Sequence, residues 1–337
     1  MSQDMKNDIS NQEIREQDTD TAAKKTNFHI NPHIVIISVI AVVFAVVVFR
    51  LYKWNKGTPS DYDPNMLTDE FDIETLDVIF PLLSGNSEGH EDDGVTTILC
   101  LGNDPFSQNK GEKDGLAELI ASKTGATVYN GSFTDSCITP AHASYDDNDW
   151  LDAFSMPYLS NAICDGDFTN IKTVAELHDV PDFISTLEML EGLDMNTVDI
   201  ICIMYDGRDY INQRGSDDPN NPYSIVSYSG ALNYSLNYIK ETYPFIRIVI
   251  MSHTYCLTPD GENSDKVDFG NGTLSHYLLK EVDVAEFNGV SIIDNFYGTI
   301  NEDNYSDYMS DYIHFNDKGR ELLAQRFVDC IFDEDEE

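Results

Sequence analysis

The chain has 337 residues, with 60 Asp and Glu against 20 Lys and Arg, for a formal net charge of -40. A surface this acidic repels nucleic acid and anionic headgroups, which excludes DNA or RNA binding and charge-driven docking on an acidic membrane. The length allows one large domain or two small ones, and the cysteines (100, 137, 164, 202, 256 and 330) show neither a C-x-x-C pair nor metal spacing, so no cofactor is expected.

Residues 1–32 are polar, mixed in charge and almost free of large apolar side chains, too few to offset the entropy of ordering; they read as a disordered tail. Next comes an uncharged run from Ile34 to Phe49, followed by Arg50, Leu51, Tyr52, Lys53 and Trp54. A run of this length can cross a bilayer core, and the aromatic and basic residues after it suit an interface, so 33–54 is expected to be a transmembrane helix. A cleaved signal peptide is the rival, but the run is long, lies far from the start and lacks a small-residue cleavage site. An uncleaved signal anchor is therefore favoured. Arg15, Lys24 and Lys25 before it nearly balance Arg50, Lys53 and Lys56 after it, so flanking charge leaves orientation open.

Residues 55–94 are rich in Asp, Glu, Gly, Ser, Pro and Asn and read as an acidic stalk or linker, with one apolar docking stretch from Ile73 to Leu83. From Val95 the pattern becomes regular. Short apolar runs at Val95 to Leu101, Ala126 to Tyr129, Val198 to Tyr205, Ile246 to Met251 and Val290 to Ile293 predict strands. Between and after them, helical patterns run over Glu112 to Lys123, Val174 to Leu190, Ser227 to Glu241, Leu274 to Phe287 and Lys318 to Phe332. Alternation of this kind implies parallel pairing through right-handed crossovers. The expected fold of 95–332 is a three-layer α/β/α sandwich with a mostly parallel five-stranded sheet, and 333–337 form an acidic tail. The polar-aromatic segment from Pro140 to Thr173 reads equally as a flap over one end of the sheet or an ordinary surface excursion.

In open α/β sheets, ligands bind beyond the carboxyl ends of the strands. The residues there are Asn103 and Asp104, Asn130 to Ser132, Asp206 to Asp209, Ser252 to Thr254, and Asp294 with Asn295. The last loop adds Asp311 and His314. An imidazole can take and return a proton near neutral pH, and a carboxylate three residues earlier can fix its tautomer and stabilise its charged form. The competing reading is that Asp311 and Asn316 lead into and cap a helix starting near Asp317. His253 reads as a packed or solvated histidine, and Asp146, Asp147, Asn148 and Asp149 lack the glycine and terminal glutamate of a calcium loop and read as solvated.

With these pieces in order, Val95 to Phe332 resembles the SGNH/GDSL hydrolases, esterases and acyl-esterases on a flavodoxin-like sandwich. Leu101-Gly102-Asn103-Asp104 lies where that family has G-D-S, Asn130-Gly131 matches its second-block glycine, Tyr205 to Tyr210 lies where it has G-x-N-D, and Asp311-Tyr312-Ile313-His314 matches its D-x-x-H. The resemblance implies His314 as base, Asp311 as its orienter, and Gly131 as an oxyanion donor. It departs from the family at two positions: Asp104 occupies the place of the nucleophilic serine and Arg208 that of the oxyanion asparagine. Asp104 could act as a carboxylate nucleophile, and Ser107 is an alternative nucleophile. Arg208 could bind an oxyanion or substrate anion, or pair with Asp206, Asp209 or Asp104. Two functions follow. One is a membrane-anchored esterase or O-deacetylase acting on acylated surface glycans or another small ester, with the domain outside the cell. The other is a catalytically inactive binding protein for a glycan or protein partner.

Overall fold

The computed structural model describes residues 75–80, 89–91 and 93–332, together with 41, 43–45, 47 and 48. The chain divides into two compact units, Met1–Phe71 and Asp72–Glu337. In the first, Ala41, Val43, Phe44, Ala45, Val47 and Val48 are helical. The expected tail, the rest of the anchor and most of the stalk lie outside the described residues, as does the acidic C-terminal tail. Among the described residues, no helix is long and apolar enough to cross a membrane.

The second unit carries five strands: β1 (Thr97–Gly102), β2 (Thr127–Asn130), β3 (Ile200–Met204), β4 (Arg247–Met251) and β5 (Ser291–Ile293). They form one parallel sheet in the order β2-β1-β3-β4-β5. Parallel strands covered on both faces need apolar residues at every position, not at alternate ones. Accordingly β1 and β3 are buried throughout, with Cys100 opposite Cys202. Both cysteines are fully buried free thiols, as their apolar surroundings predict. Edge strand β2 is only half-buried.

In chain order the helices are α1 (Asp104–Ser107), α2 (Leu116–Thr124), α3 (Met156–Asp165), α4 (Thr169–Leu177), α5 (Pro181–Gly192), α6 (Arg208–Ile211), α7 (Tyr228–Thr242), α8 (Leu274–Asn288), α9 (Asn295–Gly298), α10 (Tyr305–Tyr308) and α11 (Asp317–Ile331). Helix α2 packs on α11, and α7 on both α3 and α8. The helix expected over Val174 to Leu190 is two helices: the first ends at Leu177, Asp179 takes a left-handed turn (φ 52°), and Pro181 opens the second. Proline lacks an N–H and suits the first helical turn, where none is needed.

Pro140 to Thr173 is neither a flap nor a plain excursion. It folds into a 3-10 segment (Asp147–Phe154), α3 and the start of α4, and Phe154, Met156 and Leu159 are fully buried. Phe154 stacks edge-on to Phe183 of α5 at 4.7 Å between centroids, so this segment completes the core.

Candidate active site

The strand order reverses direction between β1 and β3, the switch point where such sheets place ligands. The two strands approach closely there because Gly102 has no side chain: a Cβ would stand 1.8 Å from the Met204 carbonyl oxygen. The following residue, Asn103, is fully buried and ties the two strand ends together. Its amide donates to Asp206 Oδ1 (2.8 Å) and the Ser136 carbonyl (2.9 Å), while its Oδ1 accepts the Asp206 N–H (2.9 Å).

Asp104 opens α1 and is 2 % exposed. Its Oδ1 accepts from Ser107 Oγ (3.2 Å) and the Asp135 N–H (3.1 Å). Its Oδ2 faces His314 Nε2 at 3.2 Å and takes a close hydrogen bond from Arg208 Nη2. Burial alone would raise this carboxyl's pKa, but the His314 hydrogen bond, the Arg208 charge and the Asp135 N–H outweigh it and hold it below the usual carboxylate range.

The final loop delivers His314 by a local turn. Asp311 Oδ1 accepts the N–H groups of Ile313 (2.9 Å) and His314 (2.8 Å), and its Oδ2 holds His314 Nδ1 at 2.7 Å. Asn316, not Asp311, caps α11, its Oδ1 accepting from Lys318 (3.0 Å) and Gly319 (3.1 Å). Both ring nitrogens of His314 thus face carboxylate oxygens. Ionised carboxylates only accept, so both nitrogens must donate and the ring is an imidazolium. Its pKa is raised to about 9, first by the hydrogen bond to Asp104, then by Asp311, against a lowering by desolvation. Taking a proton from a hydroxyl would first require the ring to lose one of these two hydrogen-bonded protons.

Arg208, at the start of α6, makes the pairing with Asp104 and Asp206 that was one of its two expected roles. Its Nη1 donates to Asp135 Oδ1 (2.5 Å), and its Nη2 serves Asp104 and, at 3.4 Å, Asp206 Oδ2. The guanidinium is 14 % exposed, with the carboxylates of Asp104 and Asp206 at 2 % and 3 %. Burial raises the Asp206 carboxyl to about 6, with Arg208 pulling the other way. Asp209, a suggested partner, turns elsewhere: its oxygens accept the N–H groups of Ile138 (2.9 Å) and Thr139 (3.0 Å).

The Gly131 N–H, the expected oxyanion donor, donates to the Cys100 carbonyl at 2.8 Å as a rung of the β1–β2 ladder. Packing there is tight: a Cβ would lie 3.0 Å from both Leu101 Cδ2 and Leu190 Cδ2, so a larger residue needs those side chains to give way. Ser107 does reach the site, accepting from Thr134 Oγ1 (2.9 Å) and donating to Asp104. A carboxylate held below its usual pKa by Arg208 and His314 is a weak base for that hydroxyl.

Elsewhere His253 is buried, its Nδ1 2.9 Å from Glu281 Oε2 and its Nε2 3.2 Å from the Leu274 carbonyl. Among the surface acids, Asp146 and Asp149 join His142 with ligand atoms within 4.8 Å of one another. Asp135, the partner of both Arg208 and Asp104, escaped the sequence reading. It sits in a left-handed turn (φ 62°) outside every motif block, and Asp is one of the few non-glycine residues tolerated there.

A solved crystal structure matches 71 % of this chain and 97 % of its own at 17 % identity, with a TM-score of 0.51. A protein from Lactobacillus plantarum follows at 14 % identity over 72 % of this chain and all of its own, with a TM-score of 0.49. A possible lipase from Chitinophaga pinensis matches at 10 % identity over 69 % of this chain and 96 % of its own, with a TM-score of 0.46. The chain shares with them an α/β fold built on a five-stranded parallel sheet. At these identities the likeness is one of fold alone. No protein-family model matches the chain, and neither does any curated protein.

Proposed function

We propose that this SGNH-type domain is a binding protein that has given up serine ester hydrolysis, and that a signal anchor over 33–54 presents it outside the cell to a glycan or protein partner. One observation carries the reading: a buried aspartate stands where the nucleophile would be, and its carboxylate is closed by Arg208 and His314. The base of a hydrolytic triad must be free to accept a proton from a hydroxyl, and losing the triad serine alone can cost roughly a millionfold in rate. Here the imidazole is already doubly donating, and the oxyanion positions, Gly131 N–H and Arg208, are already bonded.

A specific contact favours the alternative, an esterase or O-deacetylase acting on acylated glycans with Ser107 as nucleophile. Ser107, Asp104, His314 and Asp311 form one continuous hydrogen-bonded chain. A fluorophosphonate probe separates the two readings. The binding-protein reading predicts no covalent labelling of the full chain, whereas labelling abolished in Ser107→Ala establishes the alternative. Protease shaving of intact cells tests the topology: the domain should be cut alongside known surface proteins, and its full protection would refute outside display.

A further inference from the structure

The two edges of the sheet are treated differently. Beyond β5 the chain covers its own edge: Val78 makes an antiparallel bridge to Ile292, with N–H···O bonds of 3.0 and 2.8 Å, and the Phe80 N–H donates to Ser291 Oγ at 3.1 Å. Beyond β2, at the other edge, no described strand pairs.

The register fixes which backbone groups face outward there. Thr127 and Gly131 donate inward, to the carbonyls of Thr96 (2.9 Å) and Cys100 (2.8 Å). Because ladder bonds alternate along a strand, Tyr129 also faces β1, and the N–H and C=O groups of Val128 and Asn130 point away from the sheet. An outer edge of this kind is a template for an added strand.

The edge is moreover the floor of a groove of about 640 Å³. One wall is α5, with Phe183 and Met189; the other is the loop after α1 together with Glu118 of α2. At one end Lys110 Nζ is tied to Thr186 Oγ1 (2.7 Å) and the Ser132 carbonyl (3.2 Å). The groove's acids, Glu118 and Asp182, outnumber that single lysine, and the whole chain carries -40. A second copy of the chain would bring the same excess of negative charge to the edge, which disfavours edge-to-edge pairing.

We propose that the open edge of β2 accepts an extended, basic peptide segment of another protein as a sixth strand. Its backbone pairs with Val128 and Asn130, its apolar side chains lie toward Phe183 and Met189, and its cationic ones toward Glu118. Backbone bonds supply the affinity and the alternating side chains the selectivity. This site does not depend on whether the cluster around His314 hydrolyses anything.

The test uses the full chain and a fluorescent, end-blocked hexapeptide of alternating Lys and Val, followed by anisotropy at 0.15 M salt. Saturable binding is expected, with slowed amide exchange at Val128 and Asn130. N-methylation of the peptide amides that face β2, or replacement of its Lys by Glu, should weaken binding at least tenfold. Val128→Pro should do the same, because proline at an edge position removes only the outward N–H and is tolerated in the fold. Should that variant unfold, the N-methylated peptide and the exchange data decide alone. Absence of binding, equal binding by the N-methylated peptide, or a β2-paired dimer of the chain would each overturn the proposal.

Discussion

Replacing Arg208 by methionine removes the guanidinium shared by Asp104, Asp135 and Asp206 while keeping most of the side chain's volume. Asp104 and Asp206 are 2 % and 3 % exposed, so neither can recover the lost interaction from water. Removing one partner of a buried ion pair costs about 3–5 kcal/mol. Asp206 already sits at about 6 and can shed its charge by taking a proton, so the lower end, about 3 kcal/mol at pH 7, is expected. In a domain of this size that corresponds to a melting temperature lower by about 6 to 12 °C.

The sign of the pH dependence follows from linkage. Arg208 lowers the folded-state pKa of both Asp104 and Asp206, so its removal shifts both upward and the variant's deficit shrinks as pH falls toward 5. Urea unfolding of the full chain at pH 7 and pH 5, beside Asp104→Asn and the double variant, measures this. The deficit of Arg208→Met should shrink at pH 5 and should be at least 1 kcal/mol smaller in the Asp104→Asn background. A cost below 1 kcal/mol, or one equal at both pH values, would refute the buried ion-pair account.

The parent protein has its own pH signature: His314 is raised to about 9 in the fold, so its contribution is fully present below pH 6.5 and is lost as pH climbs through 9. The ring is a quarter exposed, and after discounting for screening the loss should be about 1.5 kcal/mol, visible as a falling urea midpoint that His314→Gln flattens. Gly131→Ala should destabilise by about 1–3 kcal/mol through overpacking against Leu101 and Leu190, seen by thermal melting; a neutral result would show that those side chains move aside freely. Glu281→Ala strands buried His253 and should cost about 3 kcal/mol, more at pH 6 than at pH 8, because the raised pKa of His253 makes its protonated form the one that needs Glu281.

The sheet was readable because its strands are apolar, β-branched runs punctuated by polar turns, and the crossover helices between them leave little choice of topology. The break at Pro181 was also present in the sequence, but the apolar pattern of Val174 to Leu190 continues across it and masks the stop. The site was most readable where chemistry is local, as in the turn that sets Asp311 against His314, although the pairing of Arg208 with Asp104 or Asp206 was one of the readings the sequence offered. Asp104, Asp135, Asp206 and Arg208 are brought together across up to about a hundred residues of chain, and nothing in their spacing says that one guanidinium will serve three of them. The direction of the Gly131 N–H was not legible, because a glycine after a strand looks the same whether its N–H faces a ligand or a neighbouring strand.

Ester hydrolysis by the full chain beside its His314→Ala variant tests the central claim most directly, on p-nitrophenyl acetate and on acetylated glycans. If Asp104 has closed the site, the two proteins hydrolyse every ester at the same background rate. A parent at least tenfold faster than His314→Ala on any of them would mean that the imidazole still works as a base, and the closed ion pair would no longer describe the site.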